Sequence, residues 1–211
     1  MTKILDKQYN FIKPAPSLPM KRYSEAMMPL EWGNFKMVTY ANKENEPMPH
    51  IAIVSEKMDP SKPVLVRMHS ECLTGDLLGS KRCDCGEQLD AAMTLAAEQG
   101  GVIIYLRQEG RGIGLINKLK AYQLQDTGLN TIDANTHLGL AVDSREYDMA
   151  VAILQDLGIN TIDLMTNNPL KIKAIEESPI HIRKREPLII PSKKENKGYL
   201  LTKKEKMGHL L

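Results

Sequence analysis

A chain of 211 residues, 42% hydrophobic and 26% charged, can bury a proper core and has the composition of an ordinary globular protein. No apolar run approaches the roughly 18 residues a transmembrane helix needs, and the start MTKILDKQYNFIKPAPSLP lacks the apolar stretch of a signal peptide, so neither membrane nor secretion is expected. The net charge of only +2 gives no broad pull toward nucleic acid.

Residues 1–20, with Pro14, Pro16 and Pro19, read as an extended arm ahead of a single domain over 21–211. NFKMVTY (34–40), HIAIVSE (50–56) and PVLVRMH (63–69) are β-rich runs between polar or proline-containing turns and predict consecutive strands. GEQLDAAMTLAAEQ (86–99) predicts a helix with Leu89, Met93 and Ala96 on one face, stopped by Gly100-Gly101. VIIYLR (102–107) suits a buried strand. Residues 113–126 suit a second helix, with Ile113, Ile116, Leu119 and Tyr122 along one side.

SREYDMAVAILQDLG (144–158) predicts a third helix, with Ser144 as candidate cap, Tyr147, Val151 and Leu154 at helical spacing, and Gly158 as stop. TIDLMT (161–166) predicts a strand, NNPLKIKAIEES (167–178) a helix capped by Asn168 with Pro169 in its first turn, and HIRKREPLII (181–190) a last strand. Strands first, then alternating helices and strands, predict an α/β (α+β) single domain of mixed β-sheets with packed helices. The end is basic, with eleven Lys/Arg against five Asp/Glu over 171–211. Without interleaved aromatics it reads as a solvated lysine-rich surface, and no nucleic-acid partner is expected.

All three cysteines, Cys72, Cys83 and Cys85, fall within fourteen positions. An odd number with no secretion signal argues against a disulfide framework and for a reducing, cytoplasmic location. The spacing C-x10-C-x-C offers three soft ligands that suit zinc and leave its fourth position to water. His69 could close the site and make it structural; a redox pair is a poorer reading, and three unrelated buried thiols remains the plain alternative.

RQEGRGIGLINK (107–118) runs from a predicted strand into a predicted helix. Its glycines allow close backbone approach to a ligand, a helix N-terminus favours anions, and Arg107 and Arg111 could grip phosphate. It is neither a Walker A nor a G-x-G-x-x-G motif, and a plain strand-to-helix turn fits equally. Glu109 between the arginines suggests a base edge or Mg2+. Asp143-Ser144-Arg145 reads first as a capped helix start, while Thr166 and Lys171 bracket a further strand-to-helix turn.

RMHSECLTGD (67–76), RCDCG (82–86), RQEGRGIGL (107–115), DANTHLGLAVDSR (133–145) and LMTNNPLK (164–171) resemble the signature blocks of GTP cyclohydrolase II, which opens the riboflavin pathway. The resemblance runs from about Met20 through KMGHL (206–210). It implies hydrolysis of GTP to formate, pyrophosphate and 2,5-diamino-6-ribosylamino-4-pyrimidinone 5′-phosphate, with guanine C8 leaving as formate. It further implies one Zn2+ per subunit on Cys72, Cys83 and Cys85 plus water, and Mg2+ with the triphosphate.

GTP contacts are implied at Arg67, Met68, His69, Ser70, Glu71, Gln88, Glu109, Gly110, Arg111, Thr131, Thr166 and Lys171. Asp143 and Arg145 match the family's proton acceptor and nucleophile, and Tyr122 a tyrosine that assists ring opening. Because a guanidinium has a pKa above about 12, Arg145 could instead stabilise charge on the triphosphate while Asp143 orients water. Relatives are homodimers, and a homodimer is expected here. Gly112 stands where some relatives carry asparagine. The dihydroxybutanone-phosphate synthase domain fused to many relatives has no counterpart in these residues, so a single reaction is expected. Two rival readings are a non-catalytic zinc- and GTP-binding regulator and a cyclohydrolase that stops at the formamide intermediate.

Overall fold

A computed structural model describes residues 20–211; the arm expected over 1–20 lies, apart from Met20, outside the described residues. Its strands are β1 (Lys21–Leu30), β2 (Gly33–Ala41), β3 (His50–Ser55), β4 (Val64–Ser70), β5 (Val102–Leu106), β6 (Thr161–Met165) and β7 (His181–Glu186). They form one mixed sheet in the order β1-β2-β3-β5-β4-β6-β7. The β1–β2, β2–β3 and β3–β5 pairs are antiparallel, whereas β5–β4, β4–β6 and β6–β7 are parallel. The expected mixed architecture is therefore one sheet among the described residues.

Among the described residues seven α-helices accompany it: α1 (Leu73–Asp76), α2 (Cys85–Gln99), α3 (Gly114–Asp126), α4 (Thr131–His137), α5 (Asp148–Asp156), α6 (Pro169–Glu176) and α7 (Lys197–Met207). Alternation along the central strands sorts their side chains. Val64, Val66 and Met68 of β4, with Val102, Ile104 and Leu106 of β5, pack with Ala150, Ile153 and Leu154 of α5 and Ile175 of α6. Leu65 and Ile103 pack on the other face with Ala92, Met93 and Ala96 of α2. Each fully buried aliphatic side chain contributes roughly 1.5–3 kcal/mol, so the doubly covered strands supply most of the stability. Arg67, His69 and Tyr105 continue the α2-side positions toward the carboxyl ends of the strands, where the sheet becomes polar.

The six predicted strands and the helices at α2, α3, α5 and α6 are present, with shifted ends. Ser144 is not a helix cap: α5 begins at Asp148, and Ser144 N donates to Arg111 O at 3.0 Å. The stripe expected on α3 is also corrected. Ile116 is 74% exposed and Leu119 47%, while Lys118 and Ala121 are buried. The helix turns its Lys118 side inward because that ammonium finds acidic and sulfur partners there.

Candidate active site

Cys72 stands two residues beyond the end of β4, after Glu71, and Cys83 and Cys85 arrive at the start of α2. Their sulfurs lie within 4.8 Å of one another, with Cys72 Sγ 3.7 Å from Cys83 Sγ. Glycine makes the room. A Cβ at Gly75 would stand 2.9 Å from Cys83 Sγ and 3.1 Å from Cys72 Sγ, and one at Gly86 would meet Gly75 O at 2.3 Å. Lys118 Nζ donates to Cys72 Sγ at 3.1 Å and to Glu109 Oε1 at 2.8 Å. Hydrogen bonds from Cys83 and Cys85, aided by the Lys118 charge, hold the Cys72 thiol far below its usual range. Three converging soft donors, one readily a thiolate, fit a thiophilic divalent cation. His69 does not close the set: its Nε2 lies 3.0 Å from each oxygen of Asp76, which also accepts from Tyr105 Oη at 2.9 Å and Cys72 N at 3.0 Å.

Beside the thiols, β4 and β6 part company. They are paired from Val64–Ile162 to Val66–Leu164, and beyond that point cations answer the backbone carbonyls. Arg67 Nη1 donates to Met165 O at 3.2 Å, and Lys171 Nζ to Met68 O at 2.6 Å. Arg67 also donates to Gln88 Oε1, and Gln88 Nε2 to Asp84 Oδ2. Connections leave β4 toward β5 on one side and β6 toward β7 on the other, so this seam is the switch point where α/β sheets open a crevice.

Arg67, Arg111, Lys118, Arg145 and Lys171 line the resulting cleft. Burial, reinforced by Arg67 and Arg145, pushes the Lys171 ammonium well below its usual value. Arg111 has φ 63°, the one non-glycine in the left-handed region among the described residues, and both its terminal nitrogens are buried without a partner. Strain and orphaned donors of this kind collect where a ligand supplies the missing contacts. The chemistry favours a polyanion beside a soft metal.

A family model described as GTP cyclohydrolase II matches residues 21–187. The chain belongs to the GTP cyclohydrolase II family. It is 50% identical to "GTP cyclohydrolase-2" of Picrophilus torridus over 189 residues, 89% of this chain and 97% of that protein. It is 48% identical to "GTP cyclohydrolase-2" of Shigella boydii, over 92% of this chain and 99% of that one. "Riboflavin biosynthesis protein RibBA" of Bacillus cytotoxicus is 50% identical over 89% of this chain, which spans 47% of that longer relative. The chain thus spans about half the length of the RibBA relatives it matches.

Of the positions marked by likeness to GTP cyclohydrolase II, Arg67, His69, Ser70, Glu71, Gln88, Glu109, Gly110, Arg111, Thr131, Thr166 and Lys171 line the cleft with Cys72, Cys83, Cys85, Tyr122 and Arg145. Met68 is different: its side chain is in the core, and only its carbonyl faces the seam. Asp143 stands behind Arg145, accepting from Nε at 2.8 Å and Nη2 at 2.5 Å. Burial alone would push the Asp143 carboxyl up, but the hydrogen bonds and charge of Arg145 hold it below its usual range. Arg107, a candidate phosphate ligand, instead pairs with Glu71 at 3.1 Å.

Glu109 caps α1, accepting from Leu73 N at 2.6 Å while paired with Lys118. Gly112, at φ 89°, packs on Ser144, whose carbonyl oxygen would lie 3.1 Å from an added Cβ. Lys118, Asn135, Tyr199, Lys203 and His209 also line the cleft and were not anticipated. Lys118 sits at a helical position without a motif. Lys203 belongs to the basic end read as solvated surface, yet its ammonium pairs with buried Asp84 at 2.9 Å.

Proposed function

We propose that residues 21–211 act as one zinc-dependent catalytic domain that hydrolyses GTP to formate, pyrophosphate and 2,5-diamino-6-ribosylamino-4-pyrimidinone 5′-phosphate, the opening step of riboflavin biosynthesis. The observation that carries the reading is the juxtaposition of the Cys72–Cys83–Cys85 cluster with a cleft walled by Arg67, Arg111, Arg145 and Lys171. Zinc held by the three cysteines would keep a position open and supply Lewis-acid activation of water at neutral pH.

The chain's own residues do the rest. Arg67, Arg111 and Lys171 bind the triphosphate, with Mg2+ accompanying it. Burial would lower Arg145, but the hydrogen bonds it donates to the Asp143 carboxylate hold it protonated, so it acts as a fixed positive charge at the α-phosphate and Asp143 orients it. Burial likewise keeps the Tyr122 hydroxyl protonated and able to donate during ring opening. Glu71, Gln88 and Glu109 supply polar contacts to the base, and Ser70, His69, Gly110, Thr131 and Thr166 shape the pocket around it.

The reading further makes the chain a cytoplasmic homodimer; among the described residues no helix is long and apolar enough to cross a membrane. The deciding experiment incubates purified protein with GTP, Zn2+ and Mg2+ and assays formate and product mass. Formate together with the deformylated product supports the proposal. Binding without formate makes the chain a regulator, and a product that keeps the formyl carbon makes it the formamide-releasing type.

A further inference from the structure

Segment 196–211 contributes a wall of the cleft that no marked GTP cyclohydrolase II position covers. It is seated at several points. Asn196, fully buried, donates through Nδ2 to Cys83 O at 3.4 Å and accepts from Lys193 N at 2.7 Å. Lys203 reaches Asp84 at 2.9 Å. The Tyr199 ring lies under the Lys203 ammonium at 4.4 Å and the Arg111 guanidinium at 5.8 Å. Gly208, at φ 65°, ends α7 in the left-handed conformation, so that His209 N returns to Lys203 O at 3.0 Å and Leu210 N bonds Asn167 O at 2.9 Å. That reversal brings the His209 ring to the cleft.

His209 Nδ1 is buried with no hydrogen-bond partner, as are both terminal nitrogens of Arg111. Burial, and then Lys203, Arg145, Arg111 and Lys171, lower the His209 pKa to about 4, so the imidazole is neutral at neutral pH. These neighbours come from α7, the loop before α5, the turn before α3 and α6, and all are basic side chains. A neutral ring keeps an N–H to donate; Lys203 and Arg145 are already paired with Asp84 and Asp143, whereas Arg111 and His209 point unpartnered donors that suit an anion.

We propose that His209 is a ligand of the substrate's phosphate chain, donating its Nδ1–H alongside Arg111, and that segment 196–211 is a strap whose seating completes the polyphosphate site. The proposal rests on the GTP reading only for the source of the phosphates; the chemistry itself calls for a polyphosphate.

The test measures inorganic tripolyphosphate binding by calorimetry, and kcat and KM for GTP, in the zinc-loaded full chain and in His209→Leu and His209→Asn. The asparagine amide nitrogen stands about where Nδ1 does. Leucine is expected to weaken tripolyphosphate binding and raise KM about ten-fold, with a smaller change in kcat, whereas asparagine stays within about three-fold of the parent. Unchanged binding in His209→Leu, or equal weakening in both variants, overturns the strap's ligand role. Formate release with His209-independent binding leaves the proposed reaction standing and the strap refuted. His209-dependent tripolyphosphate binding without formate release does the reverse.

Discussion

A methyl group at Gly75 would stand 2.9 Å from Cys83 Sγ and 3.1 Å from Cys72 Sγ, inside the contact distance of carbon and sulfur. Gly75 lies in a helical turn, where alanine is at ease. Gly75→Ala should therefore keep the fold and spread the thiols, weakening zinc at least about ten-fold in a chelator competition; parental affinity would disprove the cradle. The Asp143–Arg145 pair makes a second residue-scale prediction. Asp143→Asn leaves a buried guanidinium poorly paired and should cost roughly 3 kcal/mol at pH 7 in denaturant titrations. Because the folded carboxyl ionises below its unfolded value, the pair's contribution is full above about pH 4 and fades as pH falls through the folded pKa. The gap between parent and variant should shrink correspondingly in acid. The thiols could be read as a metal set from type and spacing. Gly75, Lys118 and Asp84 could not, because each matters only through atoms brought to it by distant parts of the chain.

Elements with a periodic core face and terminal punctuation were legible: β4 and β5 from continuous apolar runs, α2 and α6 from Gly100 and the Asn168-Pro169 cap. β1 was not, because all but its last residue are exposed and neither face alternates. α7 buries no residue fully and is tied down by single contacts at Asn196, Lys203 and the tail, so its pattern resembles a solvated basic stretch. For α3 the helix was legible and its inward face was not, since Lys118 is drawn in by Glu109 and Cys72. Contacts this sparse give α7 a testable weakness. Asn196→Ala should cost about 1–2 kcal/mol in local seating, quickening hydrogen exchange across 197–207 about ten-fold while the central strands stay protected. A uniform change throughout the chain would contradict that.

At the scale of the whole molecule, neither packed cluster contains a cysteine, and the three-thiol cluster hangs on the rim of a sheet that is stable by its own burial. Cys83→Ser, or removal of zinc by a chelator, should abolish ring opening yet leave far-UV circular dichroism unchanged and lower Tm by only a few degrees. Unfolding on metal loss would make the site structural. The parting of β4 and β6 has a different consequence. Where strands normally answer each other's carbonyls, Lys171 and Arg67 answer those of Met68 and Met165, so positive charge at the seam is held largely by neutral dipoles, and burial pulls the Lys171 ammonium down accordingly. The ligand-free protein is then short of counter-ions, and dissolved anions become a stabilising component of the fold. Millimolar tripolyphosphate should raise Tm far more than chloride at equal ionic strength, gaining about 2.7 kcal/mol at a hundred times its Kd. Lys171→Met should be intrinsically less sensitive to the choice of anion, turning salt composition into a direct gauge of charge at the seam.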